Sequence, residues 1–294
     1  MNPLLGGSLE RLKFSYANRE LGLVIERRGP VNGPLWLLLP ALSTVSSRGE
    51  WSNFANSIDP KFHLVSFDWP GFGDSDRPKI NYNNGFLQLA LSEVLKYLKQ
   101  FNQEKITIVA AGHSACVALG LASDYSEQWQ KLILVAPTWR GPLPTMTGWR
   151  PKHFSWLRQL VSLPIVGSIL YYLNTSRVVL RFMLRRHVWV NANLLRSERI
   201  SEQQKLSRRT DARFASVAFV SGGFDPAEHR SWWFGQVKRL GCPMHVVLAM
   251  EAPPRSKKEM RLLADHAQKI TKINGRLGLH QEFGHLLSEQ ILAT

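Results

Sequence analysis

The segment RLKFSYANRELGLVIERRG, residues 11–29, alternates apolar and polar positions on either side of Ala17-Asn18-Arg19. A period of two predicts a pair of strands joined by a tight turn. GPLWLLLPA (33–41), KITIVAAG (105–112), QKLILVAP (130–137) and PMHVVLAM (243–250) are short, continuous apolar runs bounded by turn residues. The first suits a strand buried on both faces, the second is another buried strand, and the last two read as further strands. FHLVSFDWP ends a further strand near Asp68, and KITKING (269–275) supplies the last. Between them lie helical patterns. FLQLALSEVLKYLKQF places Leu87, Leu91, Val94, Leu95 and Leu98 on one face. EWSNFANSI, ACVALGLASDYSEQW, SKKEMRLLADHA and the terminal HLLSEQILAT read as further helices. Strands alternating with helices predict an α/β fold with a mostly parallel sheet covered by helices.

Residues 140–225 break this rhythm. They are rich in Pro, Arg and Trp and then helical, and they predict a lid inserted between two core strands. The expected organisation is therefore a core of residues 1–139 and 226–294 with a basic, mainly helical insertion at 140–225. Charge sharpens the contrast. The chain of 294 residues carries a net charge of +15, and residues 140–213 hold 14 Lys/Arg against 3 Asp/Glu. A basic segment with its own apolar run points to a surface facing something anionic.

That run, LVSLPIVGSILYYL, has 14 residues and contains Pro164 and Gly167, too short for a spanning helix, which needs about 20. The N-terminus lacks the apolar core of a signal peptide. Cys116 and Cys242 form neither a disulfide framework nor a C-x-x-C pair, so a reducing, cytoplasmic setting is expected. Metal-ligand spacings such as H-E-x-x-H are absent, and no G-x-G-x-x-G follows the first core strand. Neither a metal nor a dinucleotide cofactor is expected.

The candidate chemistry centres on VAAGHSACVALG, residues 109–120. Gly112-His113-Ser114-Ala115-Cys116 nearly spells the G-x-S-x-G elbow, which lifts a serine onto a sharp strand-to-helix turn. Cys116 occupies the final small-residue slot. Upstream, DWPGFGDSDRP matches D-x-x-G-x-G-x-S-x-x-P at Asp68, Gly71, Gly73, Ser75 and Pro78.

In their order along the chain, these elements resemble the α/β-hydrolase superfamily, in its serine-nucleophile, lid-containing, esterase- or lipase-like branch. The resemblance spans nearly the whole chain. It implies that Ser114 is the nucleophile and that the amides of Ala115 and Leu42 bind the oxyanion, although Pro40-Ala41 stands where the family has His-Gly. The base would be a histidine after the last strand. His280, in LGLHQEF, is favoured, with His285 the alternative because it opens the final helix. The acid belongs after PMHVVLAM, where Ala252 takes the expected Asp position. Glu251, one residue early, would orient the histidine or serve as a solvated turn residue. Asp68 reads as structural.

The resemblance thus implies hydrolysis of an ester or other acyl bond of a hydrophobic small molecule through an acyl-enzyme. The alternative is a weakly active or inactive hydrolase-fold protein that binds an apolar ligand or an anionic membrane surface. In the insertion, Trp156, Leu157, Leu160, Ile165, Leu170 and Tyr172 lie among Arg158, Arg177, Arg181, Arg185 and Arg186. Such apolar residues would either cover a pocket or dip into a membrane whose headgroups meet the arginines. No nucleic-acid module is recognisable.

Overall fold

The computed structural model describes residues 1–101 and 104–293. Eight strands form one sheet in the order β1-β2-β4-β3-β5-β6-β7-β8. They are β1 (Ser8–Tyr16), β2 (Arg19–Arg28), β3 (Leu35–Leu39), β4 (His63–Phe67), β5 (Ile106–Ala111), β6 (Trp129–Val135), β7 (Met244–Ala249) and β8 (Lys269–Ile273). β1 and β2 form the antiparallel hairpin predicted from their alternation. Its turn is Ala17-Asn18, both with positive φ, as a two-residue turn matching the strand twist requires. β2 also runs antiparallel to β4, and every pair from β4 to β8 is parallel. β3, β5 and β7 are buried at every position, which is why they read as unbroken apolar runs rather than alternating ones.

Thirteen helices are described. Three precede β6: α1 (Ser52–Ala55), α2 (Asn84–Lys99) and α3 (Ser114–Tyr125). Seven separate β6 from β7: α4 (Pro142–Thr147), α5 (Ser155–Ser162), α6 (Val166–Asn174), α7 (Arg177–Met183), α8 (Ser197–Ser207), α9 (Ala212–Val220) and α10 (Ser231–Lys238). α11 (Pro254–Ala264) joins β7 to β8, and α12 (Leu279–Glu282) and α13 (Gly284–Leu292) follow β8. α2 begins at Asn83, whose side chain accepts the Phe86 N–H at 3.0 Å. It buries Leu87, Ala90, Leu91, Val94, Leu95 and Leu98, and it ends with Lys96 and Lys99 against the negative end of the helix dipole.

A buried guanidinium ties the edge of the sheet to the loops above it. Arg48 is wholly buried and donates to Glu26 Oε2 and Asp74 Oδ2, each at 2.9 Å, and also to the Asp68 carboxylate. Its own amide reaches Asp68 Oδ1 at 2.7 Å. Glu26 in turn accepts the amides of Leu4, Leu5 and Gly7. Asp68 accepts the Asp74 amide, while Ser75 Oγ donates to the Asp68 carbonyl at 2.6 Å and accepts the Val24 N–H at 2.9 Å. Gly73 has φ +50°, and a Cβ there would lie 2.0 Å from the Asp68 carboxyl carbon. The spacing of the DWPGFGDSD motif therefore shapes a carboxylate-anchored loop, in line with the structural reading of Asp68.

Removing one member of so dry a network leaves the others charged and unpaired. Arg48→Ala is expected to lower the unfolding free energy by about 3–5 kcal/mol, read from the urea midpoint at constant m. A loss below about 1 kcal/mol would mean that solvent reaches the cluster.

Candidate active site

β5 delivers the chain to Gly112, whose φ of +54° makes the sharp turn into α3. A Cβ on Gly112 would meet the Ala41 methyl at 3.1 Å, so the smallest residue permits two loops to approach. Ser114 starts α3 and is fully buried. Cys116 sits in the first turn of the helix, its Sγ 2.9 Å from the His113 carbonyl. Burial pushes its thiol pKa well up, and the slot holds it as a small apolar group.

The Ser114 hydroxyl is occupied. It donates to the Pro40 carbonyl oxygen. Trp69 Nε1 donates to Ser114 Oγ at 3.1 Å and to the same Pro40 oxygen at 2.9 Å. Trp69 belongs to the DWPGFG loop and has no exposed surface. The loop after β3 thus turns a carbonyl, not an amide, towards the serine. Its next amide, Ala41 N–H, points to Glu50 Oε2 at 2.9 Å. Glu50 Oε2 also lies 3.0 Å from His280 Nε2.

One peptide unit, Pro40 C=O and Ala41 N–H, therefore stands between Ser114 and a buried Glu50–His280 pair. Burial pushes the Glu50 carboxyl pKa up, while its bonds to His280 and the Ala41 amide pull it back. His280 Nδ1 is buried and, among the described residues, has no hydrogen-bond partner.

Three contacts set this pair. Glu50 lies in a 3-10 turn, Arg48–Trp51, that packs on α12. The Trp51 and His280 rings are 5.0 Å apart between centroids. Asn53 Nδ2 donates to the Gln281 carbonyl at 2.5 Å. His280 occupies the one-turn helix α12, because the amides of Gln281 and Glu282 close onto the Gly278 carbonyl. Residues 187–191, between β6 and β7, hold the same loop. The amides of Leu277 and Gly278 donate to the carbonyls of His187 and Val188, and Glu282 accepts the amides of Val190 and Asn191 at 2.8 and 2.7 Å.

The other expected site residues fall elsewhere. Glu251 is exposed in the turn after β7, its amide on the Gly275 carbonyl, and the carboxylate on His280 is Glu50. Ala252 is buried beside it. His285 is exposed at the start of α13. The Ala115 amide makes a long bond, 3.3 Å, to Gly112 O. Leu42 is buried two residues beyond Pro40. Glu50 and Trp69 were missed by sequence reasoning. Glu50 opens the predicted helix EWSNFANSI and Trp69 lies inside DWPGFGDSDRP, and nothing local distinguishes either.

A second buried cluster lies behind the elbow. Asp225 Oδ1 accepts the Gly141 N–H at 2.7 Å and lies 3.8 Å from His113 Nε2. Burial raises the Asp225 carboxyl to about 7, partly offset by the Gly141 N–H, Arg140 and Arg158. Burial lowers the His113 imidazole to about 4 against its bond to the Phe224 carbonyl.

A family profile described as alpha/beta hydrolase fold matches residues 34–221. A poly(3-hydroxyalkanoate) depolymerase of Ectopseudomonas oleovorans is 29% identical over 83 residues, a match covering 28% of each chain. Among solved structures, a thermophilic esterase from Thermogutta terrifontis superposes with a TM-score of 0.69 at 17% identity, covering 96% of this chain and 97% of that one. An enol-lactonase from Burkholderia xenovorans LB400 superposes with a TM-score of 0.67 at 14% identity, covering 92% and 95%. At these identities the structural likeness establishes the fold.

The two buried groups behind the elbow titrate in opposite senses. Asp225 is raised on folding, so its contribution to stability is full below its ordinary carboxylate pKa and is lost as pH rises towards 7. His113 is lowered, so its contribution is full above its ordinary imidazole pKa and is lost as pH falls towards 4. In the native protein the two slopes oppose each other. Asp225→Asn is expected to leave the His113 slope alone, so that the urea midpoint climbs more steeply between about pH 4 and 6.5. Parallel profiles for the two proteins would show that Asp225 does not bind its proton on folding.

Proposed function

The chain belongs to the α/β hydrolase fold family, and on that premise we propose that it hydrolyses ester-like acyl bonds of hydrophobic small molecules with Ser114 as nucleophile. The observation that carries this reading is the Ser114 elbow standing one peptide unit from the Glu50–His280 pair. Glu50 takes the orienting role considered for Glu251.

In this mechanism the Pro40 carbonyl first leaves Ser114. As Ser114 Oγ attacks the acyl carbon, its O–H bond breaks and the proton passes to the unpartnered His280 nitrogen. Glu50 holds Nε2–H and stabilises the imidazolium. The carbonyl electron pair moves onto oxygen, where the Ala115 amide, with Leu42 after the loop has turned, binds the oxyanion. Collapse breaks the bond to the leaving alcohol, which carries away the His280 proton. Water then attacks the acyl-enzyme, gives a proton to His280, and releases the acid as that proton returns to Ser114. The depolymerase and esterase likenesses support an ester-like bond.

A panel of p-nitrophenyl esters of rising chain length, with fluorophosphonate labelling, tests the proposal. Turnover and labelling are expected, and both should disappear in Ser114→Ala. Glu50→Gln should reduce kcat/KM by about 10²–10⁴-fold, whereas Glu251→Gln should change it less than about twofold. Full activity in Glu50→Gln, or loss in Glu251→Gln, would overturn the role of Glu50.

One observation favours a non-catalytic, ligand-binding protein: the Ser114 hydroxyl already has both a donor and an acceptor in a dry setting. Trp69→Phe removes the indole N–H that holds this arrangement. A competent serine should then label severalfold faster, at a stability loss of about 1–3 kcal/mol. A Ser114 that stays unlabelled in both proteins, with no ester turned over, would decide for the binding reading.

A further inference from the structure

α6 carries its apolar stripe on the side away from the protein. Val166, Ile169, Leu170 and Leu173 follow the spacing of one helical face. All four are exposed, Ile169 by 56% and Leu173 by 59%. The only buried residue of this helix is Gly167, pressed against the Val161 carbonyl of α5. α7, which follows α6 in the chain, also exposes apolar side chains, Val178 by 79% and Phe182 by 56%. Single exposed apolar residues need no explanation, but a helical stripe extended by a second helix does.

Charge says what covers it. Along α7, an open groove of about 600 Å³ is lined by Phe182 and by Arg177, Arg181, Arg185, Arg186 and Arg276. Three of these guanidinium groups bond to neutral partners, and a fourth lies over a ring. Arg177 reaches Gln204 and Ser201, Arg181 reaches Ser197, Arg276 reaches the carbonyls of Arg185 and Trp189, and Arg186 lies over the Phe182 ring at 5.9 Å. Among the described residues, no carboxylate forms a salt bridge with any of the five. A second copy of the chain would bring the same cations face to face across a two-fold axis. Among the described residues no helix is long and apolar enough to cross a membrane, whereas short helices with apolar ridges and flanking arginines suit the interface plane.

We infer that the α6–α7 face docks on an anionic lipid bilayer, the stripe entering the acyl boundary and the arginine groove taking phosphate headgroups. This surface is independent of the chemistry at Ser114. It adjoins the base all the same, since Arg276 stands four residues before His280 on the loop that the insertion holds.

The test is flotation of the full chain with vesicles of phosphatidylcholine alone or mixed with phosphatidylglycerol, at low and high salt. Binding to the mixed vesicles is expected, weak or no binding to the neutral ones, and release by salt. Each arginine near the surface contributes about fivefold to partitioning, so Arg181→Gln with Arg185→Gln should weaken it about 30-fold. Ile169→Ser with Leu173→Ser should weaken it through apolar contact, with less change in salt sensitivity. Thermal melts coincident with the parent would show that these exposed substitutions leave the fold intact. Equal binding to both vesicle types, or none to either, would overturn the inference. So would a dimer in sedimentation equilibrium that the Ile169/Leu173 variant disperses, because a second copy would then be the occupant.

Discussion

The site is organised by the orientation of one peptide plane. In the loop after β3 the Pro40 carbonyl meets Ser114 and Trp69. The neighbouring Ala41 N–H then faces the other way, onto Glu50. This shared peptide divides a serine whose hydroxyl is satisfied from a carboxylate–imidazole pair. An unpaired carbonyl in so buried a place would cost about 1–3 kcal/mol, which explains why two donors converge on it. Productive chemistry requires the same plane to move, so the resting geometry and the proposed reaction compete for it.

That plane is supported from two sides. The Arg48 network fixes the start of the 3-10 turn that carries Glu50, using carboxylates from β2 and from the glycine loop. On the other side, backbone bonds from residues 187–191 hold the loop leading into α12 and His280. Those residues form part of the wall that positions the imidazole, and the outer face of α6 and α7 carries the basic, apolar surface.

Much of the core was legible because its information is local. The alternation in residues 11–29 defined a hairpin, the runs at 33–41 and 105–112 defined buried strands, and 243–250 defined a further strand. Gly112 and Ser114 were readable because a strand-to-helix elbow leaves its mark within five residues. The partner of His280 was not readable. Glu50 lies 230 positions away, and the expected acid position after β7 directed attention to Glu251, which ends up in an exposed turn. The direction of the α6 stripe was equally hidden, since the pattern is the same whether a helix faces a core, a pocket or solvent.

By itself, then, the sequence determined the order and type of the core elements, the elbow that presents Ser114, and the concentration of positive charge between β6 and β7. Those features follow from side-chain periodicity and turn chemistry over a few residues. Only the tertiary structure decided which carboxylate meets the imidazole, that a carbonyl caps the serine, and that the apolar stripe of the insertion points outward. Each depends on where distant segments come to rest, and burial gives a side chain its partner and its pKa only after the chain has closed around it.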